Sequence, residues 1–155
     1  IAPDSDLTPV DPGAYSSPQL RESGGGGLAS TLGDMVRLIQ SLMPDTAGGP
    51  TLLRPETLAR MNRSQVAPGL CVRFPNMPVN PGRVFGLGSS VLLQPGAFDP
   101  PAATGEVSWG GLAGTIWWIH PRLNIAGVLM TQRYFGFGNP YAFEFKRLAY
   151  QGLGH

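Results

Sequence analysis

Gly105-Glu106-Val107-Ser108-Trp109-Gly110-Gly111-Leu112-Ala113-Gly114-Thr115-Ile116-Trp117-Trp118-Ile119 is the stretch from which the rest of the chain can be read. Two apolar runs flank a cluster of glycines. Gly110 and Gly111 have no side chains with which to fill a core, so their use is close approach of bare backbone to a neighbouring segment or a ligand. The pattern predicts a strand, a glycine-rich bend with exposed backbone N–H groups, and a returning strand. Trp117 and Trp118 fall on opposite faces of the second strand, which places one in the core and the other under a helix. Trp109, at the strand end beside the glycines, is the tryptophan placed to line a pocket.

Outward from this hairpin, further elements follow. Gly69–Phe74 and Val84–Leu93 read as strands separated by a proline-rich loop (Pro75, Pro78, Pro81), and Ile125–Thr131 reads as the strand after Thr115–Ile119. His120-Pro121-Arg122-Leu123-Asn124 forms the tight turn between those last two. Tyr141 to Gln151 closes the chain as a helix, with Phe143, Leu148 and Ala149 available to lie on the sheet. Upstream, Leu32, Met35, Val36, Ile39, Leu42 and Met43 recur at helical spacing behind a Ser30 or Thr31 cap and Asp34, so a helix runs to about Met43. Pro44 and Gly48-Gly49-Pro50 stop it. Pro55 and Glu56 open a second helix, reaching about Arg63. Residues 1–22 form an irregular, proline-punctuated lead-in. Helices first, then an antiparallel meander, then a terminal helix across it give an α+β arrangement.

Composition narrows the function. The chain has 155 residues, enough for one domain with a real core. Its 11 basic and 10 acidic side chains nearly cancel, and Lys146 is the one lysine, so the basic stripe needed for nucleic acid is missing. No apolar run approaches the roughly 20 residues of a membrane span. The single cysteine, Cys71, rules out an internal disulfide and reads as a small buried hydrophobe. Ile1-Ala2-Pro3-Asp4 is neither an initiator methionine nor a signal peptide, which suggests a processed product or a piece of a longer chain.

Little catalytic equipment is visible. Gly24–Ala29 matches the dinucleotide fingerprint in its alanine-ending form. Pro18-Gln19-Leu20-Arg21-Glu22 supplies no strand to feed it, so a tight backbone approach before a helix is the better reading. His120 and His155 have no spaced second ligand, which disfavours metal, and a turn histidine such as His120 reads as solvent-facing. Glu56 and Glu144 sit at helix starts, while Glu106 stands apart, so no acid/base pair is indicated. No Ser precedes Lys by three residues, no Gly-x-Ser-x-Gly occurs, and no Tyr precedes Asn by two.

Three segments nevertheless carry a family likeness. They are Ser23-Gly24-Gly25-Gly26-Gly27-Leu28-Ala29-Ser30-Thr31 with Asp34, Leu53-Arg54-Pro55-Glu56-Thr57-Leu58, and Glu106 to Thr115. The third continues into Trp118-Ile119, Pro121 and Gly127-Val128-Leu129-Met130-Thr131-Gln132, with Tyr150-Gln151 in the last helix. Together they resemble the serine β-lactamase-like hydrolases, a family that includes class C-type β-lactamases and esterases of the same fold. Trp109-Gly110-Gly111 looks like the esterase branch, where it stands in for the Lys-Thr-Gly box of β-lactamases. Arg54 departs from the usual serine cap.

The resemblance covers residues 23–155, a helical part to about 65 and then the sheet and terminal helix. It implies the C-terminal portion of a β-lactamase/penicillin-binding-protein-like fold. It implies further that a serine, activated by lysine and tyrosine in a missing N-terminal portion of the same protein, forms an acyl-enzyme with a small ester or amide substrate. On that reading Trp109, Gly110 and Gly111 flank the substrate and the backbone amide of Leu112 is an oxyanion donor. No cofactor enters. The chain alone is then expected to be inactive, and to self-associate over the apolar surface where its other half would pack. The alternative is a non-catalytic binding or assembly module that reuses the same sheet.

Overall fold

The computed structural model describes residues 25, 26, 28–43, 51–74, 77–133 and 139–154. The lead-in expected over 1–22, Gly24 and Gly27 of the Gly24–Ala29 comparison, the Pro44 and Gly48-Gly49-Pro50 stop, Pro75 and His155 lie outside them. Ile1–Thr31 and Leu32–His155 form two separate units. The sheet and the helices that carry the candidate site belong to the second unit.

Five antiparallel strands pair in chain order: β1 (Arg83–Phe85), β2 (Ser90–Leu92), β3 (Val107–Gly110), β4 (Ile116–His120) and β5 (Ile125–Leu129). Helices α1 (Leu32–Ser41) and α2 (Pro55–Met61) precede the sheet, and α3 (Pro140–Gly152) follows it. The α+β expectation holds, with the hairpin around Gly110 at the centre of the meander.

Register sorts the side chains onto two faces. Val107 pairs with Ile119 and Trp109 with Trp117, while Ser108 pairs with Trp118. Trp117 and Ile119 therefore share a face and pack with Ile39, Leu42, Met43 and Leu58 from α1, α2 and the residues after α1. Val84, Val91 and Val107 extend that face toward the other edge. Trp118 points the opposite way, into a cluster with Leu92, Ala103 and Tyr150 of α3. Adjacent tryptophans thus anchor two cores, because a strand alternates its side chains. Gly127 makes the second core possible: a methyl at that position would overlap the six-membered ring of Trp118.

Several elements differ from expectation. Val84–Leu93 is a hairpin and not one strand: Gly86 N–H bonds Ser89 O at 2.8 Å and Gly88 takes φ +74°, so the chain reverses between β1 and β2. Gly69–Phe74 is no strand. It makes one sheet-like bond, Val72 N–H to Arg83 O at 2.8 Å, and begins with Gly69 at φ +86° in a turn that a ladder cannot accommodate. α2 starts at Pro55 as expected, and its Arg54 cap makes no side-chain bond. Only the last turn of the apolar face of α1 is buried, while Leu32 and Val36 are exposed. On α3 the inward face is Ala142, Lys146 and Tyr150, spaced by four, and Leu148 points to solvent. Polar Lys146 hides this face from a search for apolar periodicity.

Candidate active-site hairpin

Between β3 and β4 the chain turns through residues 111–115. Gly111 N–H bonds Thr115 O at 2.8 Å, and Gly114 N–H bonds Gly111 O at 2.9 Å. Gly114 lies at φ +84°, while Leu112 and Ala113 keep negative φ. This is a type I turn closed by a left-handed glycine, the common three-residue hairpin. Leu112 occupies the second position of the turn. Among the described residues no backbone acceptor meets its N–H, and the residue is 51% exposed. At Gly111 an added Cβ would stand 2.8 Å from Thr115 Oγ1, so the Thr115 side chain would have to shift to admit one.

A second tie holds the bend from behind. Thr131 donates its hydroxyl to Gly114 O at 2.8 Å and lies 3.3 Å from the Tyr141 hydroxyl. Neither residue stood out as a site residue in the sequence. Trp109, half-buried at the end of β3, packs against Phe74 and Phe85 with ring centroids 5.9 and 5.8 Å apart. A groove of about 360 Å³ lies elsewhere, between Val36, Ile39 and Met43 of the α1 region and Ala126–Val128 of β5. It is two strands away from Trp109.

Beneath β3 lies a buried polar network that no sequence motif indicated. Glu106 is fully buried and accepts from Lys146 Nζ at 2.7 Å and from the Tyr150 hydroxyl at 3.0 Å. Arg83 donates to Asp99 at 2.8 Å and to Ser108 Oγ at 2.6 Å, and its guanidinium lies 3.7 Å from Glu106. Lys146 lies 3.8 Å from Asp99. Ser90 donates to Ser108 O at 2.9 Å. Two cations face two anions, so each buried charge is compensated. Burial, reinforced by the Glu106 charge and hydrogen bond, pushes the Tyr150 hydroxyl far above its ordinary range and keeps it protonated. The only visible signal was a lone lysine four residues before Tyr150.

Two further expectations are corrected. His120 is not solvent-facing: it is 1% exposed, its Nδ1 accepts Leu123 N–H at 3.2 Å, and its Nε2 lies 3.1 Å from Ala102 O. As the last residue of β4 its side chain follows Trp118 inward, and it staples the turn to the Pro101–Ala103 segment. Cys71 is half-exposed and not buried, because its segment lies outside the sheet. Among the described residues no three His, Cys, Asp or Glu side chains cluster as metal ligands, and no helix is long and apolar enough to cross a membrane.

An antiparallel sheet covered by helices on both faces defines an α+β domain of the β-lactamase-like class. The Beta-lactamase family model matches residues 2–151, and the chain belongs to that family. It is 31% identical over 150 residues to the acyltransferase calJ of Penicillium decumbens, covering 89% of this chain and 34% of that protein. It is also 31% identical over 142 residues to the esterase EstB of Burkholderia gladioli, covering 90% and 32%. The chain thus spans about a third of the length of these curated relatives. A solved β-lactamase from Mycobacterium bovis superposes with a TM-score of 0.64 at 22% identity, covering 80% of this chain and 44% of that one, a likeness of fold.

Proposed function

We propose that this chain supplies one wall of the cleft of a serine hydrolase acting on uncharged esters through an acyl-enzyme, with the nucleophile contributed by a segment outside it. The observation carrying this reading is the Leu112 amide at the tip of the β3–β4 hairpin, on an exposed residue and unmet by a backbone acceptor among the described residues. In the proposed reaction a serine hydroxyl gives its proton to a neighbouring base and its oxygen attacks the ester carbonyl. The carbonyl oxygen gathers negative charge and accepts the Leu112 N–H. Collapse expels the alcohol, and water then releases the acid. A backbone donor fixed by the Gly111–Gly114 and Thr131 bonds does not reorganise as charge develops, which is the condition for such a group to accelerate the step.

Substrate charge follows from what stands at the bend. Trp109 places an aromatic ring and no cation there, and Arg83 behind the strand is occupied by Asp99 and Ser108. An anionic β-lactam carboxylate therefore gains no charge partner from Trp109 or Arg83, whereas a neutral ester needs none. The purified chain alone is expected not to turn over p-nitrophenyl butyrate or a chromogenic cephalosporin. Turnover that survives stringent purification and tracks with the chain through successive columns would defeat the proposal.

A further inference from the structure

Gly110, Gly111 and Gly114 leave the backbone of the β3–β4 bend many conformations. The bonds from Gly111 N–H to Thr115 O and from Gly114 N–H to Gly111 O shape the turn but lie within the hairpin. An anchor reaches it from outside. The β4–β5 pairing ends with Ile116 opposite Leu129, and two residues further the same register sets Gly114 opposite Thr131. The backbone ladder has stopped there, and the Thr131 hydroxyl donates to Gly114 O at 2.8 Å in its place. That hydroxyl has a single hydrogen, so its 3.3 Å contact with Tyr141 runs the other way, with the Tyr141 O–H as donor. Tyr141 lies in the first turn of α3, the helix that Lys146 and Tyr150 fasten to buried Glu106. A directed chain of hydrogen bonds thus runs from α3 through the end of β5 to the carbonyl two residues past Leu112.

We infer that Thr131 and Tyr141 are positioning residues for the proposed acyl transfer, holding the bend against α3 so that the Leu112 N–H keeps one direction. This deepens the reading of Leu112 as the carbonyl donor and rests on it. The β-branch at Thr131 restricts its χ1, so its hydroxyl is delivered to Gly114 from few rotamers. A donor that keeps its direction meets the developing charge without reorganising, whereas a glycine bend without an outside tie samples other directions.

Backbone 15N relaxation of the chain and of three variants tests this. In the native chain the Leu112 order parameter should lie near about 0.85, the value of rigid backbone. Thr131→Val keeps the branched shape and removes the hydroxyl; Leu112 should then fall below about 0.6 while Val107 and Ile119 in the paired strands stay rigid. Thr131→Ser should restore the native value, and Tyr141→Phe should fall between. A Leu112 value below about 0.6 in the native chain overturns the inference whether or not the variants fold. So does an unchanged value in Thr131→Val, or in Tyr141→Phe should Thr131→Val fail to fold. The donor itself is tested apart, by the turnover of Leu112→Pro joined with the proposed nucleophile-bearing segment. Mobility gained in Thr131→Val with that turnover unchanged supports the anchor and defeats the oxyanion donor; turnover lost with no mobility gained does the reverse.

Discussion

Replacing Lys146 by methionine keeps the unbranched stem against the sheet and deletes only the ammonium group. That group sits 2.7 Å from a Glu106 carboxylate with no solvent exposure, and 3.8 Å from Asp99. After the change the network holds two anions and one cation, and Glu106 keeps the Tyr150 hydroxyl and an Arg83 guanidinium at 3.7 Å. Removing one partner of a buried pair costs about 3–5 kcal/mol, because the other charge stays desolvated. Set against a typical domain stability of about 5–15 kcal/mol, this is a large fraction. It corresponds to a fall in Tm of roughly 6–20 °C for a domain of this size. Urea unfolding followed by circular dichroism measures it. The double variant Lys146→Met with Glu106→Gln leaves the Arg83–Asp99 pair balanced, so it should be more stable than Lys146→Met alone by at least about 1 kcal/mol. A single variant costing under about 1 kcal/mol, or a double variant whose cost is the sum of the singles, would refute the argument that charge compensation holds α3 to the sheet.

Gly127→Ala should destabilise the domain by about 1–3 kcal/mol in the same assay, since the new methyl overlaps the Trp118 ring and the second core must shift to admit it. Tyr150, held protonated in the folded chain, makes stability full below the ordinary tyrosine pKa near 10 and lost as pH rises above it. Alkaline unfolding should therefore weaken in Tyr150→Phe, its slope falling by up to about 1.4 kcal/mol per pH unit. Leu112→Pro suits the second position of a type I turn and removes the amide hydrogen. Joined with the proposed nucleophile-bearing segment, the variant should keep its circular dichroism and lose about 100- to 1000-fold in kcat. An unchanged rate would exclude Leu112 as a donor.

The elements legible beforehand were those with local causes. Pro55 opens α2, Asn124 takes φ +52° in the turn before β5, and the glycines around Leu112 mark the β3–β4 reversal. Each follows from the steric limits of its own residue. The β1–β2 hairpin was missed although Gly86 and Gly88 announced it, because the apolar residues on both sides read as a continuous strand. Leu148, being apolar, reads as available to lie on the sheet, yet the buried face of α3 is centred on a lysine. His120 was read from its turn and not from its place at the end of β4, where alternation carries it inside.

Patterning along the chain was enough to determine the α+β class, the order of helices and meander, the opposite directions of Trp117 and Trp118, and the glycine bend with its family likeness. Local sterics and the two-residue period of a strand act between neighbours and can be read from neighbours. Tertiary structure alone decided that Glu106, Lys146, Tyr150, Arg83 and Asp99 meet, that His120 is covered, and that Phe74 and Phe85 flank Trp109. Glu106 and Tyr150, for example, lie 44 positions apart. A charge so far along the chain from its partner leaves no periodic trace, and only the closing of the sheet against α3 brings the two within reach.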